Sequence, residues 1–168
     1  VVPSAAVRPK ARLLADRALA LDDSLAEVHE ATALVHWYLE WDFEGARAEY
    51  LRALTLNPHS AVARALMGIL LADLGRFAEA REQVAQAVAL EPVSALIGFY
   101  SASTLAISGP LEEALPECER VIDLDPNFLP GLWCYATVLS HVDRHQEAIE
   151  IVERAHAVPH RQAFFLGC

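Results

Sequence analysis

The sequence contains little positive charge. It has 13 lysine and arginine residues against 23 acidic residues, a formal net charge of −10 at pH 7, and its single lysine is Lys10. Nucleic acids and anionic membrane surfaces attract proteins through clusters of basic side chains, so this charge disfavours both as partners. No apolar run approaches the roughly 20 residues that span a membrane, and no signal peptide is recognisable. We therefore expect neither nucleic-acid binding nor a membrane span.

Cysteine and glycine are also scarce. The three cysteines, Cys118, Cys134 and Cys168, are too few and too scattered for a disulfide framework or a Cys-x-x-Cys metal site. Their odd number slightly favours a reducing compartment, and therefore the cytoplasm. The seven glycines and nine prolines mostly fall between runs of helix-forming residues, and 54% of the sequence is hydrophobic. This composition predicts an all-α protein.

What the sequence does contain is a repeat of 34 residues. The segments ALTLNP (53–58), AVALEP (87–92) and VIDLDP (121–126) place Pro58, Pro92 and Pro126 at that interval. Four further columns keep the same interval: Ala46, Ala80, Ala114 and Ala148; Ala53, Ala87, Val121 and Ala155; Leu56, Leu90, Leu124 and Val158; Gly75 and Gly109. Repetition at a fixed period of this length is the sequence signature of a stacked array.

Each repeat is predicted to contain two helices joined by a tight turn. Apolar residues recur with helical spacing in ALMGILLADL (65–74) and AREQVAQAVAL (80–90), and GRF (75–77) separates the two runs. The proline closes the second helix because it cannot donate the next helical hydrogen bond. Pro116 lies inside the second helix of the third repeat and is expected to kink or fray it. The pattern predicts helices over 27–39 and 44–56, 61–73 and 77–90, 95–107 and 110–124, and 129–141 and 145–157.

Small residues mark the places where neighbouring helices approach most closely, to about 8–10 Å between axes. They are Gly68, Ala102 and Ala136 on the first helices, with Ala80 and Ala114 on the second. These columns resemble the tetratricopeptide repeat, and the match is best at Met67-Gly68, Ala80, Ala87 and Pro92. The first repeat departs from it by one extra residue around EWDFEG (40–45). Its WDF segment resembles repeat segments attached to bacterial transcription regulators, kinases and cyclases.

The resemblance implies a right-handed superhelical solenoid of antiparallel helix pairs, with about four full repeats and a half repeat at each end. The predicted divisions are a tail at 1–7, a lone second helix at 8–26, repeats at 27–60, 61–94, 95–128 and 129–160, and the start of a truncated fifth repeat at 161–168. Because residues 163–166 are apolar, we expect that the chain continues or that this end is buried against a partner. The host is expected to be a longer regulatory protein of bacterial type.

The resemblance also implies a concave groove, lined by the first helices, that binds a protein or peptide. The expected contacts are Tyr38, Ile69, Asp73, Phe99, Tyr100, Ser103, Trp133, Thr137 and His141. None of them is a lysine, arginine or asparagine, which argues against a clamp for a terminal carboxylate and favours an apolar or aromatic segment as ligand. The alternative is that Phe99 and Trp133 only pack between repeats.

No catalytic or cofactor-binding motif is present, so the predicted scaffold is not an enzyme and uses no cofactor. An enzymatic hypothesis depends only on two histidines and two thiols. His141 and His145 straddle a turn, with Asp143 between them and no third metal ligand beside them. Cys118 and Cys134 lie on adjacent predicted helices, without a histidine placed to activate either thiol. We predict no metal site.

Two further surfaces are predicted from composition. The first is formed by the chain ends, where Phe164, Phe165 and Leu166 would be the contacts of a homo-oligomer. Self-assembly through these ends is therefore the alternative function. The second surface is a convex face rich in glutamate along the second helices. We expect this face to be simply solvated, and the alternative is an acidic surface for a basic partner.

Overall fold

The computed structural model describes residues 4–158, with side chains from Val7 onward. The helices in this range are α1 (Ser4–Leu21), α2 (Ala26–Leu34), α3 (Phe43–Leu56), α4 (Ala61–Asp73), α5 (Phe77–Leu90), α6 (Ala95–Ser108), α7 (Leu115–Leu124), α8 (Leu129–His141) and α9 (His145–Ala157). A π-helical turn, Val35–Glu40, follows α2, and a 3₁₀ turn, Leu111–Ala114, precedes α7. Residues 4–158 contain no strand, so the all-α prediction is confirmed. The predicted fifth repeat at 161–168 lies outside the described residues.

The helices form antiparallel hairpins that stack on one another. The hairpins are α2 with α3, α4 with α5, α6 with α7, and α8 with α9, and each second helix also packs against the first helix of the next hairpin. The first helices α4, α6 and α8 contact one another in order, while α1 packs on α2 and the π-helical turn. The predicted superhelical solenoid is therefore confirmed.

The small-residue columns lie at the hairpin contacts, as predicted. A Cβ atom added to Gly68 would lie 2.6 Å from Val84 Cγ1 and 3.1 Å from the carbonyl oxygen of Ala80. The first-helix members Ala102 and Ala136 are buried. Side chains larger than these would force the paired helices apart.

Val121 of α7 fills the contact between the third and fourth hairpins. Its Cγ2 lies 2.6 Å from the position of an added Cβ on Gly98 of α6, and its Cγ1 lies 2.6 Å from that of Gly131 of α8. Val121 itself is 1% exposed. One valine side chain therefore packs directly against the backbones of two first helices.

One column of the repeat carries a left-handed residue after the first helix. Trp41, Gly75 and Asp143 have φ values of 58°, 74° and 60°. Gly109 holds the same column but is extended, with φ −166°. Left-handed backbone at this point closes the preceding helix and turns the chain into the second helix. Whether a residue in this column is left-handed therefore does not depend on its being glycine.

Replacing Gly75 by alanine is expected to lower the free energy of unfolding by about 1–2 kcal/mol, because an L-residue pays that amount in the left-handed region. No atom lies within 4 Å of the added Cβ, so crowding contributes nothing. Urea denaturation followed by circular dichroism measures the change. Asp143→Gly in the same column is the matched control and should increase stability. Equal stability of Gly75→Ala and the parent would show that this turn does not require φ > 0.

The extra residue of the first repeat is accommodated by the π-helical turn. A π turn holds one more residue than an α turn, and the backbone N–H of Trp41 bonds the carbonyl oxygen of His36 across it. The second helix α3 consequently enters in register, with Ala46, Tyr50 and Ala53 all fully buried.

The expectation that Pro116 kinks or frays the second helix of the third repeat is wrong. Pro116 does not lie inside a helix over 110–124, because α7 begins only at Leu115 and the preceding Leu111–Ala114 form a 3₁₀ turn. Pro116 therefore occupies the first turn of α7, where a missing N–H costs no helical hydrogen bond. The proline sets where the α-helix begins and does not kink it.

Candidate functional site

A pocket of about 450 Å³ lies between α6 and α8, and we call it the α6–α8 pocket. Five of the predicted groove residues border it: Phe99, Ser103, Trp133, Thr137 and His141. The remaining walls are Ala106, Ile107, Leu111, Pro130, Cys134 and Val138. The two first helices thus bring the predicted contacts of the third and fourth repeats together on one lining that is mostly apolar.

The hydroxyl groups of this pocket donate to their own helices. Ser103 Oγ donates to the carbonyl oxygen of Phe99, and Thr137 Oγ1 donates to that of Trp133, each over 2.8 Å. His141 Nδ1 lies 2.8 Å from the carbonyl oxygen of Thr137, which can only accept, so Nδ1 carries a proton. The pocket therefore offers a ligand few free donors and suits an apolar group.

The two large aromatic residues of the pocket differ in exposure. Trp133 is 38% exposed, and its ring meets that of His156 edge to face with 6.1 Å between centroids. Phe99 is half-buried, with its ring 6.0 Å from that of Phe128 in a similar arrangement. Phe99 thus contributes to packing as well as to the pocket surface, whereas Trp133 keeps much of its indole accessible.

Four predicted groove residues lie away from the α6–α8 pocket. Ile69 and Tyr100 are half-buried and pack against the hydrophobic cluster around α4 and α3, where burial raises the pKa of Tyr100. Tyr38 and Asp73 instead border a second pocket of about 340 Å³. Sequence reasoning did not anticipate the other walls of this second pocket, which are Trp37, Trp41 and Phe43. The available signal was the extra residue beside WDF.

A pair of thiols lies behind the α6–α8 pocket. Cys118 Sγ of α7 and Cys134 Sγ of α8 are 4.0 Å apart, and Ser103 Oγ lies 3.8 Å from Cys134 Sγ. A hydrogen bond from Cys118 to Cys134 raises the pKa of the Cys118 thiol, with burial adding to the effect. The same hydrogen bond lowers the pKa of Cys134, which burial opposes. The adjacent helices thus bring the two thiols close together, and Cys134 is the member of the pair that borders the pocket.

Metal-ligand side chains do not converge in the part of the chain that the structure describes. Between residues 4 and 158, no group of three histidine, cysteine, aspartate or glutamate side chains could hold a metal ion. His145 Nε2 lies 3.6 Å from an Asp143 carboxylate oxygen, on exposed side chains.

The glutamates of the second helices are partly engaged by arginines. Four ion pairs have N–O distances of 2.5–2.6 Å, namely Arg76–Glu79, Arg81–Glu113, Arg120–Glu117 and Arg144–Glu147, and Arg47–Glu44 has a distance of 3.0 Å. Surface pairs of this kind contribute little to stability. Their arrangement fits a solvated convex face.

Two sequence-based expectations concern other surfaces. The predicted oligomer contacts Phe164, Phe165 and Leu166 lie outside the described residues. Within 4–158, no helix combines the length and the apolar character that a membrane crossing requires.

Comparison with known proteins gives one family model that matches part of the chain and several solved structures of similar fold. Residues 40–98 match the family model described as tetratricopeptide repeat. Residues 41 to the end of MamA from Desulfovibrio magneticus RS-1 are similar in structure, with a TM-score of 0.67, 17% identity, and coverage of 92% of this chain and 96% of that one. No curated protein sequence matches.

Two further solved structures share the fold. YrrB, titled a TPR protein with an unusual peptide-binding site, has a TM-score of 0.61 at 22% identity and covers 92% of this chain and 79% of its own. PilF of Pseudomonas aeruginosa has a TM-score of 0.71 at 22% identity, and the match covers 92% of this chain and 70% of the PilF chain. At these identities the likeness establishes the fold alone.

Proposed function

We propose that this chain, which has the solenoid fold and matches the tetratricopeptide repeat over residues 40–98, is a scaffold whose α6–α8 pocket seats an apolar or aromatic side chain of a partner polypeptide. The role is binding alone and includes no catalytic step or cofactor. Within a longer regulatory protein, as the WDF resemblance implies, such a scaffold would recruit the partner.

The observation that carries the proposal is an accessible indole above an apolar floor. Trp133 is 38% exposed, and the hydroxyls of Ser103 and Thr137 are turned into their own helices. Aromatic side chains at the centre of an interface supply much of its binding free energy, because they bury a large area at small entropic cost. The pocket combines such an anchor with walls that lose little hydration when a ligand covers them.

Trp133→Ala is expected to weaken binding of a peptide selected from a random displayed library by about tenfold or more, equivalent to about 1.4 kcal/mol. The helical content should be unchanged, since Trp133 is partly exposed and outside the fully buried core. Isothermal titration calorimetry measures the dissociation constant, and circular dichroism measures folding. Phe99→Ala should weaken binding too, but with some loss of stability because Phe99 also packs on Phe128.

Phe77→Ala is the matched control for Trp133→Ala. Phe77 is an aromatic residue of α5 that is 45% exposed and does not border the pocket. The Phe77→Ala variant should bind the selected peptide with the same affinity as the parent protein. Equal affinity of the Trp133 and Phe77 variants would remove the pocket as the binding site, and melting of Trp133→Ala would assign that residue to the core.

A second candidate function is self-association, and an exposed apolar strip on α1 favours it. Leu13 and Leu14 are each 54% exposed, and Val7 is 39% exposed. Burial of such leucines against another copy would be favourable by roughly 25 cal/mol per Å² of apolar area. Sedimentation at high protein concentration tests this candidate, with Leu13→Glu and Leu14→Glu expected to give monomers. A parent protein that is monomeric throughout would exclude it.

A further inference from the structure

Four aromatic residues and one carboxylate surround a pocket of about 340 Å³ where the first hairpin meets the second. Its walls, which we call the aromatic cage, are Trp37, Tyr38, Trp41, Phe43 and Asp73. The rings of Trp37 and Tyr38 are stacked with 4.5 Å between centroids, and those of Trp41 and Phe43 meet edge to face at 6.2 Å. Aromatic residues make up only 8% of the chain, so four of them around one pocket is a marked local concentration.

The backbone that builds the cage is unusual for its sequence. Trp41 has φ 58°, a conformation that costs a bulky residue energy, and its side chain is 70% exposed and recovers little by burial. The π-helical turn Val35–Glu40 directly precedes it. Strained residues and π turns concentrate at functional sites, where the arrangement of side chains outweighs the local cost.

Asp73 places a carboxylate in this cage, and none of the cationic side chains between Val7 and Val158 forms an ion pair with it. It is the last residue of α4, where the helix dipole already disfavours an anion. No cationic side chain within residues 4–158 shifts its titration; partial burial raises the pKa of the Asp73 carboxyl, and a hydrogen bond from the Trp37 side chain opposes that rise. A cation bound in the cage would offset both the cost of burying the Asp73 carboxylate and its unfavourable interaction with the helix dipole.

The cage therefore fits a planar cation that also donates hydrogen bonds. Ring faces attract cations, and guanidinium is weakly hydrated, stacks on aromatic planes and donates two parallel hydrogen bonds to a carboxylate. A quaternary ammonium group would leave the carboxylate of Asp73 without a donor. The net charge of −10 also favours a basic partner. We propose that the aromatic cage binds an arginine side chain of a partner polypeptide.

This site is separate from the α6–α8 pocket, and its test does not depend on that pocket. The probe is the peptide acetyl-Gly-Arg-Gly-amide, compared with the same peptide carrying citrulline, which has nearly the shape of arginine but no charge. The three tryptophans of the chain divide between the sites, with Trp37 and Trp41 in the cage and Trp133 in the α6–α8 pocket. NMR signals of the three indole N–H groups therefore report which site is occupied.

The arginine peptide is expected to shift the Trp37 and Trp41 signals and to bind about tenfold or more tightly than the citrulline peptide, a difference that added salt reduces. Asp73→Asn should remove most of that preference without changing the shape of the cage. Trp41→Gly removes one wall while suiting the left-handed backbone, so it should stay folded and bind weakly. Trp133→Ala is the control and should bind the arginine peptide as the parent does.

Three results would overturn the inference. They are equal binding of the arginine and citrulline peptides, unchanged binding in both Asp73→Asn and Trp41→Gly, and shifts confined to the Trp133 signal. A lysine peptide that binds as tightly as the arginine peptide would overturn the assignment to guanidinium.

Discussion

Replacing Tyr50 by alanine is expected to lower the free energy of unfolding by about 3–5 kcal/mol. Tyr50 of α3 is fully buried in the cluster that joins the first two hairpins, together with Trp37, Leu66 and Leu70. Loss of the ring leaves a cavity that the stiff helices around it cannot close. Since whole domains are stable by only about 5–15 kcal/mol, the first hairpin should unfold well before the rest in urea. Circular dichroism together with the fluorescence of Trp37 would detect this.

Tyr50→Phe separates the ring from the hydroxyl. Within residues 4–158 the Tyr50 hydroxyl has no hydrogen-bond partner, so its removal should leave stability equal or increase it by about 1 kcal/mol. If Tyr50→Phe were as unstable as Tyr50→Ala, the hydroxyl and not the ring would be the stabilising group.

The same pair of proteins should differ in alkaline solution. Burial raises the pKa of Tyr50, so the folded protein keeps this phenol neutral while the unfolded chain ionises it. The resulting contribution is complete below the unfolded pKa of about 10 and is lost as pH rises beyond it. Tyr50→Phe lacks this contribution and should lose less stability above that pH in urea titrations.

Gly68→Ala is expected to lower the free energy of unfolding by about 1–3 kcal/mol, the usual cost of overpacking. The added methyl group would lie 2.6 Å from Val84 Cγ1 and 3.1 Å from the carbonyl oxygen of Ala80. Val84 is β-branched and 3% exposed, so it cannot turn aside easily. This crowding has to exceed the gain of about 1 kcal/mol in helix propensity that alanine brings over glycine.

Val84→Ala provides the partner for a double-mutant cycle. Each single substitution should destabilise the protein, and the double variant should be more stable than the sum of the two effects predicts, because the removed methyl groups make room for the new one. Additive effects in urea denaturation would show that Gly68 and Val84 do not meet.

The helix bounds could be predicted where small residues and prolines define both ends of an element. The predicted 61–73, 77–90, 129–141 and 145–157 agree with α4, α5, α8 and α9, because the columns around Gly68, Ala80 and Ala148 specify contacts as well as periodicity. The π turn at Val35–Glu40 and the 3₁₀ turn at Leu111–Ala114 could not be predicted, since hydrophobic spacing does not distinguish these variants from an α-helix.

Prediction of the site was limited by side-chain direction. Mapping groove positions onto the first helices brought Phe99 and Trp133 to one pocket, whereas Tyr100, one residue further along α6, packs on a hydrophobic cluster. Successive helical residues differ by about 100° in direction, so a shift of one position changes the face. The aromatic cage was missed because its geometry depends on the π turn and on the left-handed Trp41, which the sequence pattern does not reveal.

We expect Val121 to limit how closely α6 and α8, the helices on either side of the α6–α8 pocket, can approach each other. Because its two methyl groups abut the backbones at Gly98 and Gly131, the isopropyl group acts as a spacer between the helices that form the pocket walls. A ligand cannot press those walls closer without compressing a side chain at van der Waals contact on both sides. We expect selection among ligands to depend on their thickness, with α7 determining the dimension that they must match.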